Sequence, residues 1–275
     1  MMQTALSELN PDRFATIKGA NRVWAIGAIH GAADKLRALH QHLFDRFAEG
    51  DRLVYLGNYM GAKGDIIATL NELLRARRRL LAGPPPLNPE DIVFLRGAQE
   101  EMWNKLLQLQ FAPSPAEIID WMLDHGMDST IEAYGTKAHV ARNIAREVTM
   151  AITHWTNGLR QNMQTHPGHR ELLMHLRRAA FTRDGQLLFV HASIDPTRTL
   201  DQQADRFWWD NGQFEDIRTP YQNFRKVIRG YDHGCHGLQL NNAYTATIDG
   251  GCGRGGSLNA VCFGKDGEIL DQITT

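Results

Sequence analysis

The first hundred residues alternate between short apolar runs and amphipathic segments, and this order limits the possible folds more than any other feature. Residues 22–28, 53–56 and 92–95 are apolar, β-like runs, whereas residues 32–47 and 66–81 carry apolar side chains at helical spacing. A strand–helix–strand–helix–strand order predicts a parallel sheet with right-handed crossovers. Polar residues that follow the strands then lie outside the carboxyl ends of the sheet, where such folds bind ligands.

Five short segments of glycine and polar residues follow one another in a fixed order along the chain. They occupy residues 27–31, 57–63, 96–100, 190–193 and 230–232, and four of them come directly after an apolar, β-like run. Each of these four therefore places its polar residues where a strand leaves a sheet. Their positions predict that the five segments meet in one pocket.

These segments resemble the motifs GDxHG, GDxxDRG, RGNHE, VHAG and GH of the calcineurin-like metallophosphoesterases. The resemblance is to the bacterial branch of serine/threonine protein phosphatases and diadenosine tetraphosphatases, and it continues in residues 121–135, 189–196, 200–209 and 248–258. It implies an α/β fold, a metallophosphoesterase-like αββα sandwich of two mixed sheets with a helical insertion. It also implies hydrolysis of phosphoric esters at a site that holds two metal ions.

Most of the metal ligands that the resemblance implies are replaced in this chain. The replaced positions are Ala28 and Asn58, which stand for aspartates, Ala98, which stands for the asparagine, and Tyr231, which stands for the last histidine. Two of the ligands, His30 and His191, are retained. Alanine has no donor atom, and asparagine has no charge to offset two divalent cations. We therefore expect His30 and His191 to be remnant ligands without a bound metal. The alternative is that they are hydrogen-bonded residues kept for packing at strand ends.

The proton-transfer pair of the family is replaced as well. According to the resemblance, the histidine of RGNHE is oriented by the second aspartate of GDxxDRG, and these positions are Gln99 and Gly61 here. The arginine of the second motif, which helps to hold the phosphate, is Ala62. The resemblance therefore predicts that no catalytic residue is intact. The other residues expected around the degenerate pocket are Arg96, Glu100 and Asp232.

Three hypotheses of function follow from these replacements. The first is a catalytically inactive, phosphatase-like protein (a pseudophosphatase) that binds a partner protein or a phosphorylated ligand and needs no cofactor. The second is a metal-dependent serine/threonine-type phosphatase or nucleotide phosphohydrolase that holds Mn, Fe or Zn through replacement ligands such as Asp232, His233 or Glu100. The third is a structural or assembly protein that uses the helical insertion as its interface.

The whole chain, residues 1–275, is predicted to form a single domain that includes a helical insertion over residues 99–180. Apolar periodicity predicts the helices of the insertion, and glycine-rich, apolar runs predict strands after residue 226. The helices are expected at 102–109, 115–124, 138–155 and 170–180, and the last two strands at 260–263 and 268–270. An Asp-Gly pair between those strands is a strong signal for a hairpin. Residues 1–20 form a polar lead-in for which no element is predicted.

The composition argues against several classes of partner. The chain has 30 basic and 31 acidic residues, so its charge predicts no binding of nucleic acid and no attraction to an anionic membrane. No segment approaches the ~20 apolar residues that a membrane span needs. Three cysteines without framework spacing, and a charged N-terminal stretch without a signal peptide, predict a cytoplasmic protein.

Three local clusters allow both a functional and a structural interpretation. Segment 232–236 contains two histidines and a cysteine and, together with Cys252, could bind zinc, but its spacing favours a polar, glycine-rich loop. Trp208 and Trp209 could stack on a base, although packing is the usual role of paired aromatic residues. Residues 250–256 predict a tight turn beside the pocket, in which Arg254 is a candidate anion contact.

Overall fold

The computed structural model describes residues 9–62, 64–84, 86–209 and 212–275. Residues 1–8 of the predicted domain, and Lys63 of the second segment, lie outside the described residues. The strands are β1 Phe14–Ile17, β2 Arg22–Ile26, β3 Asp51–Tyr55, β4 Ile92–Phe94, β5 Ala179–Thr182, β6 Leu187–Val190, β7 Lys226–Arg229, β8 Thr245–Thr247, β9 Asn259–Gly264 and β10 Ile269–Thr274. The α-helices are α1 Ala33–Phe44, α2 Ile66–Ala82, α3 Ala98–Leu106, α4 Pro115–Asp124, α5 Asp128–Ala133, α6 Ala138–Ile144, α7 Thr149–Gln164 and α8 His169–Met174. Short 3-10 helices lie at Pro89–Asp91, Leu109–Phe111, Leu200–Gln202, Ala204–Phe207, Phe214–Asp216 and Cys252–Arg254.

In the described residues, the strands form two five-stranded sheets of mixed direction. The first sheet has the order β10-β9-β2-β3-β4, and the second has the order β1-β5-β6-β7-β8. In the first sheet β2, β3 and β4 run parallel, with Ala25 opposite Val54 and Val54 opposite Val93, while β9 is antiparallel to both of its neighbours. In the second sheet β6, β7 and β8 run parallel, and β5 is antiparallel to β6. The parallel start that the sequence predicts is therefore confirmed.

The two sheets face each other across an apolar core. Val54, Phe189, Ile228 and Val261 are among the buried side chains that fill the space between them. The opposite face of the first sheet packs against α1 and α2. That of the second sheet packs against the described residues of segments 194–209 and 212–224, which contain three 3-10 helices. Each sheet thus buries both of its faces, which accounts for the apolar runs in the sequence. The predicted fold class of two mixed sheets between helical layers is confirmed.

Helices α1 and α2 begin where two of the pocket loops end. Leu36 and Leu43 lie on the buried face of α1, which packs on the first sheet. Helix α2 begins after Asp65, whose side chain accepts a hydrogen bond from the Ala68 N–H (2.9 Å). The two helix starts therefore hold the far ends of the loops that follow β2 and β3.

Six α-helices, α3 to α8, lie between β4 and β5, a stretch in which every residue is described. The helix predicted over residues 138–155 is wrong in its extent, because the chain turns between α6 and α7. Val148 has an extended backbone at this turn (φ −67°, ψ 153°), which a β-branched residue adopts readily. None of the helices in the described residues is long and apolar enough to cross a lipid bilayer. The single domain over 1–275 and the insertion over 99–180 stay predictions.

Two strands lie where the sequence predicts none. The helix predicted over residues 170–180 is too long, because Ala180 belongs to β5, where it pairs with both β1 and β6. Strand β1 lies in the expected polar lead-in and pairs in parallel with β5, with Ala15 opposite Ala180. Strand β1 depends on a partner that is distant in the sequence, so local periodicity does not indicate it, whereas β5 pairs with both the distant β1 and the neighbouring β6. The predicted C-terminal hairpin is confirmed, with β10 antiparallel to β9.

Candidate functional site

Loops that follow six strands meet at one edge of the two sheets and enclose a cavity of about 440 Å³. Three of the loops follow β2, β3 and β4 of the first sheet, and three follow β6, β7 and β8 of the second. This is the edge at which α/β sheets bind ligands. The cavity wall includes, from the sequence-predicted set, His30, Asn58, Ala62, Ala98, Gln99 and Tyr231.

The other sequence-predicted residues lie around the cavity rather than in its described lining. They are Ala28, Gly61, Arg96, Glu100, His191 and Asp232. Most of them are buried beneath the loops. The Arg96 guanidinium pairs with Glu101 (3.1 Å), and the Asp232 carboxylate pairs with Arg229 (3.2 Å). The structure thus brings about half of the predicted residues to the cavity surface and places the rest in its supporting layer.

The buried carboxylate of Glu100 holds the loop after β3. Its oxygens accept hydrogen bonds from the backbone N–H groups of Asn58, Tyr59 and Met60 (2.9, 2.8 and 3.2 Å). One oxygen also accepts the Gly97 N–H (2.8 Å), so two loops share one acceptor. Burial raises the pKa of Glu100, and the four N–H donors oppose that shift. Glu100 therefore supports the floor of the cavity instead of offering a free metal ligand.

Glycine at two positions lets loops from different strands approach each other closely. A Cβ atom on Gly57 (φ +91°) would lie 2.9 Å from His191 Nδ1, and one on Gly97 would lie 2.2 Å from the backbone nitrogen of Asn58. Side chains have no room at either position. At the same place, His191 Nδ1–H donates to the Leu56 carbonyl (2.7 Å) and joins the second sheet to the first.

Backbone strain is concentrated in the cavity wall. Six non-glycine residues of the described chain have a left-handed φ, and four of them line the cavity: His30 (51°), Asn58 (50°), Ala62 (53°) and Cys235 (52°). This conformation costs an ordinary L-residue about 1–2 kcal/mol, although asparagine tolerates it better. Such strain persists where surrounding contacts over-determine the backbone, and it is typical of functional sites.

The hydrogen bonds of Asn58 define where the proton lies on His30. Asn58 Oδ1 accepts the Gln99 N–H (2.9 Å), so Asn58 Nδ2 is the donor that faces His30 Nε2 (3.3 Å). Burial, with a smaller contribution from the Arg254 charge, lowers the pKa of His30 to about 4, so the ring is neutral at pH 7. The neutral ring then carries its proton on Nδ1. That buried N–H has no partner in the described part of the chain.

His191 and Tyr231 form a stacked pair. Their rings are parallel within 4° with centroids 5.3 Å apart, and the Tyr231 ring also contacts His30 at 5.6 Å. Burial lowers the pKa of His191 to about 3, although the hydrogen bond to the Leu56 carbonyl opposes the shift. His191 Nε2 therefore keeps an unprotonated lone pair, which no described residue engages. Both retained histidines thus pack against the tyrosine that stands at the last ligand position.

Gln99 occupies the space that a side chain at position 61 would need. A Cβ atom on Gly61 (φ +86°) would lie 2.2 Å from Gln99 Cδ and 2.3 Å from Gln99 Oε1. Gln99 Nε2 donates to the His125 carbonyl (2.8 Å), which links α3 to the C-terminal end of α4. The two positions that resemble the proton-transfer pair therefore form one packed unit without an ionisable group.

Helix α4, the residue after it and the segment after β6 supply an aromatic wall, of which the sequence analysis named only Trp209. Trp121 and His125 stack with ring centroids 4.2 Å apart, and Trp209 meets Trp121 at 71° with centroids 5.5 Å apart. All three line the cavity. Trp208 is buried and donates its indole N–H to the Arg96 carbonyl (3.1 Å), so it has the packing role expected for it. The sequence signal for the wall was the i, i+4 spacing of Trp121 and His125.

Arg254 and two carboxylates determine the charge of the described cavity wall. Arg254 is exposed in the glycine-rich turn after β8. Asp249 is buried, and its oxygens accept the Asp232 and Gly251 N–H groups (2.9 and 2.8 Å). Burial raises the pKa of Asp249 above its ordinary value, and these two hydrogen bonds oppose the shift. Asp124 is exposed, and Arg254 supplies the positive charge of the described lining.

The donor atoms at this site do not fit a dinuclear metal centre. Ala28 and Ala98 offer no donor, and Asn58 Oδ1 already accepts a backbone N–H. His191 Nε2 is buried, and Tyr231, which stands at the last ligand position, stacks on its ring. A pair of divalent cations needs anionic ligands, and these positions supply none.

One acidic cluster lies outside the cavity lining. In the described residues, Glu215, Asp232 and His236 are the group of three potential ligands whose atoms come within 4.8 Å of one another. The Arg229 guanidinium lies 3.2 Å from Asp232 and 3.5 Å from Glu215, so ion pairing already compensates both carboxylates. This arrangement agrees with the polar loop predicted for segment 232–236.

No family model and no curated protein matches this chain. Among solved structures, the chain is similar to a candidate diadenosine tetraphosphatase, with 18% identity, a TM-score of 0.52, and coverage of 95% of this chain and 97% of that one. It is also similar to a mutant of a cold-active protein tyrosine phosphatase, with 16% identity, a TM-score of 0.50, and coverage of 98% and 85%. At these identities the likeness shows a shared fold alone. The chain therefore has the fold of these phosphatases. This is the fold that the resemblance of its motifs implies.

Proposed function

We propose that this chain is a phosphatase-like protein that binds a phosphorylated ligand, free or presented by a partner protein, without hydrolysing it. The observation that carries the proposal is the side chain of Gln99, which stands at the catalytic histidine position and fills the space above Gly61. An amide and a glycine cannot exchange a proton near pH 7, so general acid–base catalysis has no agent here. The cavity itself persists, and its volume of about 440 Å³ is in the usual range of ligand pockets.

Metal-dependent hydrolysis through replacement ligands fits the described residues less well. The Glu100 carboxylate accepts four backbone N–H groups, and the Asp232 carboxylate is paired with Arg229 (3.2 Å). His233 is exposed and belongs to the cavity lining, but no described carboxylate joins it in a cluster of three ligands. A single exposed imidazole binds a divalent cation weakly.

A comparison of the parent protein with a restored variant tests the proposal. The restored variant carries Ala28→Asp, Asn58→Asp, Ala98→Asn, Gln99→His, Tyr231→His, Gly61→Asp and Ala62→Arg. Gly61→Asp is introduced only together with Gln99→His, because a side chain at position 61 would overlap the Gln99 side chain. We expect calorimetry to detect Mn²⁺ or Zn²⁺ binding by the restored variant and little or none by the parent. Hydrolysis of an aryl phosphate by the parent should stay at background.

Two results would overturn the proposal. One is metal-dependent hydrolysis of an aryl phosphate by the parent that is abolished by His191→Ala. The other is near two equivalents of manganese, iron or zinc retained by the parent after dialysis. Circular dichroism of each variant serves as the folding control. A restored variant that folds but binds no metal would remove the support that the motif resemblance lends to the proposal.

An assembly role is favoured by a separate observation on the helices between β4 and β5. Phe111, Val148 and Met150 are 80%, 71% and 80% exposed there, and large exposed apolar side chains often mark protein contacts. Light scattering of the parent over a range of concentrations tests this second candidate. Self-association that Met150→Ser weakens would support it, and a monomer at every concentration would argue against assembly through copies of this chain.

A further inference from the structure

The cavity contains an aromatic corner that is open to a ligand. Trp121 and Trp209 meet at 71°, and Trp121 is 43% exposed although it is a large apolar side chain. His125, the residue directly after α4, stacks on Trp121 with ring centroids 4.2 Å apart and supports the indole. A planar ring that stacks on such an indole gains on the order of tenfold in affinity.

The opposite end of the cavity carries a buried hydrogen-bond donor that lacks an acceptor in the described residues. His30 Nδ1–H has no partner in the described residues, because the Asn58 amide engages the other ring nitrogen (3.3 Å). Buried donors normally have an acceptor, so this one indicates a ligand oxygen. Arg254 follows Gly253, which lies against His30: a Cβ atom at Gly253 would be 2.7 Å from His30 Cγ. In the described part of the lining, Arg254 is also the single Lys or Arg side chain.

Gln99 connects the two ends. Its Nε2 donates to the His125 carbonyl (2.8 Å), and His125 Nδ1 in turn donates to the Trp121 carbonyl (2.7 Å). On the other side, the Gln99 backbone N–H is bound to Asn58, which holds His30 (2.9 and 3.3 Å). The residue at the catalytic position therefore fixes the aromatic corner relative to the unpaired donor.

We infer that the ligand of this cavity joins one planar aromatic ring to one phosphate group. The ring stacks on Trp121 and Trp209, and the phosphate lies beside His30 and Arg254. The inference rests on the proposed function and specifies its ligand class. A nucleoside monophosphate and free phosphotyrosine share this chemistry. A polyphosphate suits this cavity less well, because the described lining offers only one guanidinium, that of Arg254, and also carries the exposed carboxylate of Asp124.

Calorimetric titrations of the parent protein, in a chelating buffer, test the inference. The probes are AMP and phosphotyrosine, with adenosine, tyrosine, inorganic phosphate and ATP as comparisons. We expect AMP or phosphotyrosine to bind at least about tenfold more tightly than inorganic phosphate and than its own dephosphorylated form. ATP should bind no more tightly than AMP. Whichever of AMP and phosphotyrosine has the higher affinity identifies the preferred ring system, and either result supports the inference.

Substitutions at Trp121 and Arg254 locate the contacts on the structure. Trp121→Ala should weaken binding of the preferred probe about tenfold, whereas Trp121→Phe, which keeps a stacking surface, should have a smaller effect. Arg254→Ala should weaken binding about tenfold, since it removes a charge-assisted hydrogen bond. Arg183→Ala, at an exposed cation outside the cavity lining, is the matched control and should leave binding unchanged.

The results also separate this inference from the proposed function. The inference is overturned if neither AMP nor phosphotyrosine binds, if inorganic phosphate binds equally well, or if Trp121→Ala has no effect. In each of these cases the parent can still be inactive, and the proposed function stands with a different ligand. Metal-dependent turnover of phosphotyrosine by the parent would instead overturn the proposed function.

Discussion

Gly61 and Gln99 share one volume, so a substitution at one position changes the cost of a substitution at the other. Gly61→Ala should destabilise the protein by about 2–4 kcal/mol, because it combines a left-handed φ of +86° with an overlap on a buried side chain. In a Gln99→Ala background the overlap disappears, and the two changes should couple by about 1 kcal/mol or more. Urea denaturation of the parent, the two single variants and the double variant measures the coupling.

Gly237→Ala provides the matched control for backbone strain. Gly237 has a φ of +80°, and a Cβ atom there would meet no described atom within 4 Å. Its substitution should therefore cost about 1–2 kcal/mol, the price of the left-handed backbone alone. Equal costs for Gly61→Ala and Gly237→Ala, or additive effects of Gly61→Ala and Gln99→Ala, would contradict the shared-volume interpretation.

Glu100 gives a second prediction at the residue scale. Glu100→Gln should destabilise the protein by about 2–3 kcal/mol, because an amide replaces one acceptor oxygen with an NH₂ group that faces backbone donors. The affected donors are the N–H groups of loops after β3 and β4. Glu117→Gln, at an exposed position of α4, should change the free energy of unfolding by less than about 0.5 kcal/mol. Similar effects of the two substitutions in urea denaturation would rule out an anchoring role for Glu100.

At the scale of elements, the start of α2 depends on the cap that Asp65 provides. Asp65→Ala should cost about 1 kcal/mol, because the Ala68 N–H at 2.9 Å loses its acceptor. Asp65→Asn keeps an acceptor oxygen and should cost clearly less. The midpoint of thermal unfolding measures both. If alanine and asparagine are equally costly, charge at the helix terminus rather than capping explains the contribution of Asp65.

For the whole molecule, buried histidines predict that stability falls as the pH falls below about 6.5. Burial lowers the pKa of His30, His169 and His191 to about 4, about 4 and about 3. Between their unfolded and folded pKa values, the unfolded chain binds more protons than the folded chain, so acid favours unfolding. Glu100 and Asp249 have raised pKa values and contribute with the opposite sign, over the pH range that begins at their unfolded pKa values and extends upward.

The contribution of one histidine is isolated by a difference between variants. His169 accepts the Tyr134 hydroxyl hydrogen bond and faces Asn71 Oδ1 (2.9 and 3.1 Å), so the ring is neutral in the folded protein. His169→Gln should reduce the loss of stability between pH 7 and pH 4.5 by on the order of 1–2 kcal/mol, although it lowers stability at pH 7. His139→Gln, at an exposed histidine, is the matched control for the substitution itself. Identical pH profiles for the parent and His169→Gln would contradict the assignment.

Local sequence patterns were sufficient for the elements that local interactions define. The alternation from β2 to β4 follows the periods of strand and helix, and the hairpin of β9 and β10 is marked by Asp266 and Gly267. Strand β1 was not predicted because its partner, β5, is distant in the sequence. Strand β5 also pairs with the neighbouring β6, but its first two residues were included in the preceding predicted helix. Local patterns also predicted one continuous helix over residues 138–155, although the backbone is extended at Val148 and the helix is interrupted there.

At the site, residue types alone predicted the missing donors, because donor atoms belong to side chains and Ala28 or Ala98 has none at any position in space. Residue types did not indicate that Gln99 fills the volume at Gly61, or that Trp121 reaches the cavity. Those contacts join loops and helices that are distant in the sequence. Their distances follow from how the two sheets and the helices pack together, and only the tertiary structure decides that packing.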